Sequence, residues 1–180
     1  MASLTEERLG GRRIVQVAFV VDDLTTAAMQ WSKMFGAGPF FVHETVPVSE
    51  VHAGDGSSGV FEFGAAFGQW GSVMVELIKI DRVEPDSAAS LMWRPGFNHV
   101  AYFASDPDAE RARLERSGAP VLLKVSIGGV PLHFHNALAT TGCIIEHYPF
   151  IEAYEYIYRQ VQSAADRWDG TDPVRGPLGM

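Results

Sequence analysis

Apolar and polar positions along this chain run through one cycle of elements and then repeat it. Residues 14–21 (IVQVAFVV) form a β-rich apolar run broken only by Gln16. Asp22 and Asp23 supply N-cap chemistry, and Leu24, Ala27, Ala28, Trp31, Met34 and Phe35 then recur at helical spacing until Gly36. Gly38-Pro39 turns into a short strand over 40–44. Residues 45–59 are turn-rich without a periodic core and read as a long loop. Two strands over 60–68 and 72–80 flank Trp70-Gly71 as a hairpin. Residues 81–96 (DRVEPDSAASLMWRPG) read as a linker. The order then restarts, with a strand over 97–104 and a helix opened by Asp106-Pro107 and ended by Gly118. Three strands follow, over 121–127, 130–137 and 143–150. Each half reads β-α-β-β-β.

The halves also align as sequences. Placing Gln16 over His99 sets QVAFVVDDL against HVAYFASDP, with Val, Ala and Asp identical. The helix stop at Gly36 falls 20 residues after Gln16, and Gly118 falls 19 after His99. The closing strands GSVMVELI and TGCIIEHY carry Glu76 and Glu146. The chain is therefore read as an α+β domain over 13–150, built of module 1 (13–80), the linker (81–96) and module 2 (97–150). A loose arm (1–12) precedes it. Phe150, Tyr154, Ile157, Tyr158, Val161, Ala165 and Trp168 make an apolar stripe on a C-terminal amphipathic helix over 151–169, expected to pack on the sheet, with a subunit contact in a homodimer as the alternative. A Gly/Pro-rich tail (170–180) is expected to fray.

Composition narrows the class. The 180 residues are 47% hydrophobic and 20% charged, an ordinary globular balance. A net charge of −8 without a basic stripe argues against nucleic acid or an anionic membrane surface as partner. No apolar stretch reaches the roughly 20 residues of a membrane span. The polar start MASLTEERLGGRR reads as neither signal nor transit peptide, and the lone Cys143 excludes a disulfide framework, so a cytoplasmic protein is expected.

Gln16, Glu76, His99 and Glu146 each interrupt an apolar strand at equivalent places in the two halves. Alternation puts Glu76 with Met74 and Ile78, and Glu146 with Ile144 and Tyr148. A buried carboxylate costs several kcal/mol unless compensated, and these strand faces carry no lysine or arginine. A divalent metal ion would supply the missing charge. Three oxygens and one nitrogen suit zinc, manganese, cobalt or nickel. The opposing reading is a metal-free site whose polar groups pair with one another or with water.

With QVAFVV, VELI, NHVAYF and IIEHY in place, the two modules resemble the vicinal oxygen chelate superfamily, which includes glyoxalase I, methylmalonyl-CoA epimerase, extradiol dioxygenases and bleomycin-resistance proteins. The resemblance covers about residues 13–150. It implies a half-barrel mixed sheet around a central cavity, with metal ligands from the first and last strands of each module: Gln16, Glu76, His99 and Glu146. Gln16 stands where a first histidine would be in the iron(II) extradiol enzymes, which places iron and ring cleavage behind the other metals and a glyoxalase-like activity.

That activity is an isomerase, epimerase or lyase reaction. It abstracts a proton next to a carbonyl through a metal-stabilised enolate, with Glu146 and Glu76 as the acid/base pair. The expected cavity positions Ala18, Val20, Met74, Ile78, Ala101, Phe103, Ile144 and Tyr148 favour a small, fairly apolar substrate over a CoA ester, although Arg82 or Arg94 on loops could reach a phosphate. The alternatives are a small-molecule binding protein and the extradiol-type dioxygenase. His133 and His135 share one strand face and are expected on a solvated or hydrogen-bonded surface. His147 points away from Glu146, His43 and His52 read as surface residues near the loop, and Cys143 as a small buried hydrophobe. Of Phe40, Phe41, Phe61, Phe63, Phe67 and Trp70, some are expected to line the cavity and much to be plain core.

Overall fold

Each half leaves a strand edge that the other half pairs, so the repeat closes into one sheet of ten strands. The computed structural model describes residues 12–179, and the expected arm therefore lies outside the described residues except for Arg12. In chain order the elements are β1 (Gln16–Val20), α1 (Leu24–Phe35), β2 (Phe40–His43), β3 (Val48–Ala53), β4 (Val60–Trp70), β5 (Val73–Glu84) and α2 (Asp86–Met92). Then come β6 (Gly96–Ala104), α3 (Pro107–Arg116), β7 (Val121–Ile127), β8 (Val130–Asn136), α4 (Leu138–Thr141), β9 (Ile144–Pro149), α5 (Glu152–Asp166) and β10 (Val174–Arg175). The strand order β10-β2-β4-β5-β1-β6-β9-β8-β7-β3 shows the duplication directly. β1 runs parallel to β5, β6 runs parallel to β9, and β1 and β6 join the halves antiparallel. The sheet is mixed, and it curls without closing.

The crossover helices form where their caps allow. The Asp23 side chain accepts from Thr26 N at the start of α1, and Gly36 ends it at φ 64°, a left-handed conformation that costs glycine nothing. Asp106 caps α3 in the same way, with Pro107 in the first turn. Leu24 and Ala28 of α1 cover Phe40, Val75 and Leu77 on the outer face of the first half. The main core lies on the concave face, among Met74, Ile78, Ala101, Phe103, Leu132, Phe134, Ile144 and Tyr148. Among the described residues no helix is long and apolar enough to cross a membrane.

Three expectations are corrected. The loop 45–59 contains β3, which pairs antiparallel with β7 at the far edge of the second half. A register shift between Ser49 and His52, where Glu50 adopts φ 52°, breaks the two-residue alternation that would have marked it as a strand. The linker 81–96 holds the end of β5 and all of α2, whose Ala88 and Met92 are buried. The tail 170–180 does not fray throughout: β10 pairs parallel with β2, Phe40 N donates to Pro173 O at 2.7 Å, and the edge of the sheet is thereby covered. The C-terminal stripe packs as expected on the sheet, where Tyr158 and Val161 of α5 join the main core.

Candidate metal centre

The four polar residues sit on β5, β1, β6 and β9, which are consecutive in the middle of the sheet. Register explains how they meet. Ala18 lies between Glu76 and His99, and Ala101 lies between Gln16 and Glu146. The two rows form a checkerboard in which the smallest side chain separates each polar pair, and both alanines are wholly buried. The repeated Gln/His-Val-Ala motif thus has a physical reason. A larger residue at the alanine would fill the space into which its neighbours' polar groups converge.

All four polar residues are buried, none more than 6% exposed. One donor atom each from Glu76, His99 and Glu146 lies within 4.8 Å of the others. His99 Nε2 is 3.2 Å from Glu146 Oε2 and 3.4 Å from Glu76 Oε2, yet it has no well-directed hydrogen bond and is an orphaned buried nitrogen. Asn98, which the sequence did not single out, accounts for this. Its Nδ2 donates to Met92 O at 2.8 Å, so its Oδ1 faces His99 Nδ1 at 3.0 Å. A neutral His99 therefore carries its proton on Nδ1 and turns a free lone pair at Nε2 toward the carboxylates, the tautomer that binds metals. Without a cation, burial opposes an imidazolium. The closely facing carboxylates of Glu146 and Glu76 outweigh that cost and lift His99 to about 9. Burial pushes the Glu76 carboxyl up.

Gln16 enters the cluster differently. Its Nε2 donates to Glu76 Oε2 at 2.5 Å, and its Oε1 accepts from the Tyr158 hydroxyl at 2.8 Å. With the Tyr158 proton committed to Gln16, the Tyr148 hydroxyl donates to Tyr158. A directional chain thus runs Tyr148, Tyr158, Gln16, Glu76. To offer its carbonyl to a cation, Gln16 must turn its amide over. Tyr158 tolerates either orientation, because a hydroxyl both donates and accepts.

The centre opens into a cavity of about 100 Å³ walled by Phe61, Phe63, Phe67, Met74, Ile78, Phe134 and Tyr148, and by Tyr154, Ile157 and Tyr158 of α5. Two carboxylates, one free imidazole nitrogen and an apolar wall fit a divalent cation, since the oxygens balance its charge and little water competes for it.

Other sequence candidates fall elsewhere. Phe40 lies under α1, and Trp70 is exposed against Trp31 and Phe35. Cys143 is buried. Of the solvated or hydrogen-bonded face expected for His133 and His135, the solvated form is corrected: both are buried with His147 on the convex side of the sheet, away from the centre, and His135 is hydrogen-bonded to Ala119 O and His147. The pairing of Phe134 with Glu146, and of His133 with His147, decides this, and strand register is not written in one strand's sequence. His43, expected at the surface, is buried, and its Nε2 accepts from Leu178 N at 3.3 Å. His52 is half-buried in β3. Arg82 is exposed and engaged with Glu84, and Arg94 is exposed. The hydroxyls of Tyr154 and Tyr158 were legible only as members of an apolar stripe.

Comparison with known proteins agrees with this fold. A hypothetical protein of Bacillus halodurans C-125 shares the fold, with a TM-score of 0.54, 14% identity, and coverage of 78% of this chain and 95% of that one. A Streptomyces coelicolor methylmalonyl-CoA epimerase in complex with 2-nitronate-propionyl-CoA matches with a TM-score of 0.50, 21% identity, and coverage of 76% and 96%. A methylmalonyl-CoA epimerase in complex with methylmalonyl-CoA and ammonium gives 0.50, 21%, 76% and 93%. At these identities the likeness is one of fold. No curated protein matches. A family model, however, matches residues 15–134, two-thirds of the chain, including the strands that carry Gln16 and His99. By that match the chain belongs to the glyoxalase/bleomycin resistance protein/dioxygenase superfamily.

Proposed function

We propose that this chain is a divalent-metal-dependent enzyme of the glyoxalase-like type, an isomerase, epimerase or lyase that removes a proton next to a carbonyl of a small, fairly apolar substrate. One observation carries the reading: Glu76, His99 and Glu146 gather three donor atoms, one an unpartnered imidazole nitrogen, inside an otherwise apolar cavity. These three residues would hold zinc, manganese, cobalt or nickel, with the Gln16 carbonyl as a fourth donor. The bound cation supplies Lewis acidity, which lowers the pKa of a C–H beside the carbonyl.

The chain's own residues do the rest. Asn98 holds His99 in the Nδ1–H tautomer. Among the described residues the Glu146 carboxylate has only His99 as a charged side-chain partner, and it is the base that takes the proton. Glu76 is tied by the Gln16 amide and serves as the anchored carboxylate that returns a proton on the opposite face. The phenylalanine walls and α5 would shield the reacting carbon from water.

Elemental analysis of protein purified without chelator, with melting curves in each of the four metals, tests the reading. We expect about one equivalent of metal and, at 100-fold excess over Kd, a stabilisation of about 2.7 kcal/mol. Glu146→Gln should weaken binding, keep the fold and abolish turnover. Metal-free protein that gains no stability from any of the four ions sinks the proposal. A metal-free binding protein is the second reading, favoured by the proton that His99 holds between two carboxylates at neutral pH.

A further inference from the structure

The Tyr154 hydroxyl is buried and has no hydrogen-bond partner among the described residues. It lines the same cavity as the carboxylate–histidine centre, close enough to Glu146 that this charge, after burial itself, raises its pKa. Every other polar side chain that α5 brings to the cavity is already engaged, because Tyr158 is committed to Gln16 and Tyr148. α5 also lies beyond residues 15–134 that the family match covers, so this hydroxyl belongs to the part of the chain outside that match.

Size and charge limit what Tyr154 can meet. The cavity of about 100 Å³ is of the order of the roughly 150 Å³ space that takes one benzene ring, so it suits a single compact group. Among the described residues no lysine or arginine lines it, and Arg82 is turned outward to Glu84 and Glu62. The solved epimerases of this fold hold CoA esters. The phosphates of a nucleotide-bearing thioester would find no lysine or arginine among the described residues that line this cavity.

The geometry points to Tyr154 as a specificity-determining residue that donates a hydrogen bond to a further acceptor atom of a compact, uncharged, ring-sized substrate. The inference rests on the proposed site in seating two adjacent substrate oxygens at the carboxylate–histidine centre. The ring body then lies against the phenylalanine walls, and an acceptor atom elsewhere on the ring accepts the Tyr154 hydrogen bond. An unpaired buried donor is the feature by which a site rejects an analogue lacking the matching group.

Two uncharged probes separate these claims: 2-hydroxycyclohexanone, and the analogue in which the ring carbon opposite the hydroxyl-bearing carbon is oxygen. Calorimetry is run on wild-type protein and on Tyr154→Phe, each with and without manganese. We expect the oxygen analogue to bind wild type at least fivefold more tightly than the carbocycle, and Tyr154→Phe to erase that ratio while leaving the carbocycle's affinity unchanged. Methylmalonyl-CoA should not displace either probe. Ile157→Trp, which fills the cavity from α5, should lose both rings but keep manganese binding. The same ratio in wild type and Tyr154→Phe, binding of neither ring to wild type, or displacement by methylmalonyl-CoA would each overturn the inference. Absence of manganese binding with the Tyr154-dependent ratio intact would sink the metal reading and support the specificity residue.

Discussion

Replacing His133 by leucine should make the protein more resistant to acid. His133, His135 and His147 stack on the convex face, with centroids 5.1 Å apart in each contact to His147 and rings inclined by only 18° and 28°. His135 donates from Nδ1 to Ala119 O at 2.8 Å, so its Nε2 accepts from His147 Nε2 at 3.1 Å. That leaves Nδ1 of both His133 and His147 without partners. Additional protons enter this stack only at a cost. Burial first, then the neighbouring His135, Lys124 and Arg111 charges, push His133 down to about 4, with Asp108 opposing them weakly. Burial and the other two histidines push His147 down to about 3.

The sign follows from linkage. A histidine whose folded pKa lies below its unfolded value of 6.5 binds more protons when unfolded, so its contribution is fully present above 6.5 and is lost as pH falls toward 4. For His133 alone, acidification to pH 5 costs about 2 kcal/mol, with a ceiling of about 3 kcal/mol at lower pH. In a chain of this length that is about 4–8 °C in Tm. Melting of wild type and His133→Leu at pH 7.5 and pH 5 measures it directly. The variant's loss on acidification should be smaller by that amount. Equal losses in the two proteins would refute the reasoning, whatever their absolute stabilities.

Two further outcomes can be measured by urea unfolding. Glu110 is buried on the same convex side, where it accepts from Arg12, Arg113 and the Tyr102 hydroxyl, and the arginines and Tyr102 hold its carboxyl well below the usual range despite its burial. Glu110→Gln strips the charge that both arginines face and should cost about 2–4 kcal/mol at pH 7; a loss below about 0.5 kcal/mol would mean that solvent already screens the network. Gly68→Ala should cost about 1–3 kcal/mol, because the added Cβ would stand 2.6 Å from the ring of Phe40, itself wholly buried under α1. Unchanged stability there would show that the ring has room to move.

The candidate centre was legible because a polar residue inside an apolar strand is costly, and the chain repeats that cost at matching places. Gln16 and His99, each followed two residues later by alanine, mark one inward row per half; Glu76 and Glu146 mark the other. What the strands could not disclose is which neighbour each would pair with. His133, His135 and Phe134 are consecutive or alternate in sequence, yet the register of β8 on β9 sends Phe134 to the cavity and both histidines to the opposite face. Asn98 looked like an ordinary strand residue, and its role depends on the α2 carbonyl of Met92.

By itself the sequence determined the duplicated strand–helix order, the caps of α1 and α3, and the four polar residues that share the concave face, since each follows from local periodicity, cap chemistry or the energy of a buried charge. Only the tertiary structure decided that β3 and β10 are strands, because each is an edge stabilised by a partner distant in the chain. It alone decided that α5 closes the cavity with Tyr154 and Tyr158. An amphipathic stripe specifies that a helix will bury one face, while the position of each hydroxyl on that face is set by the surface it meets.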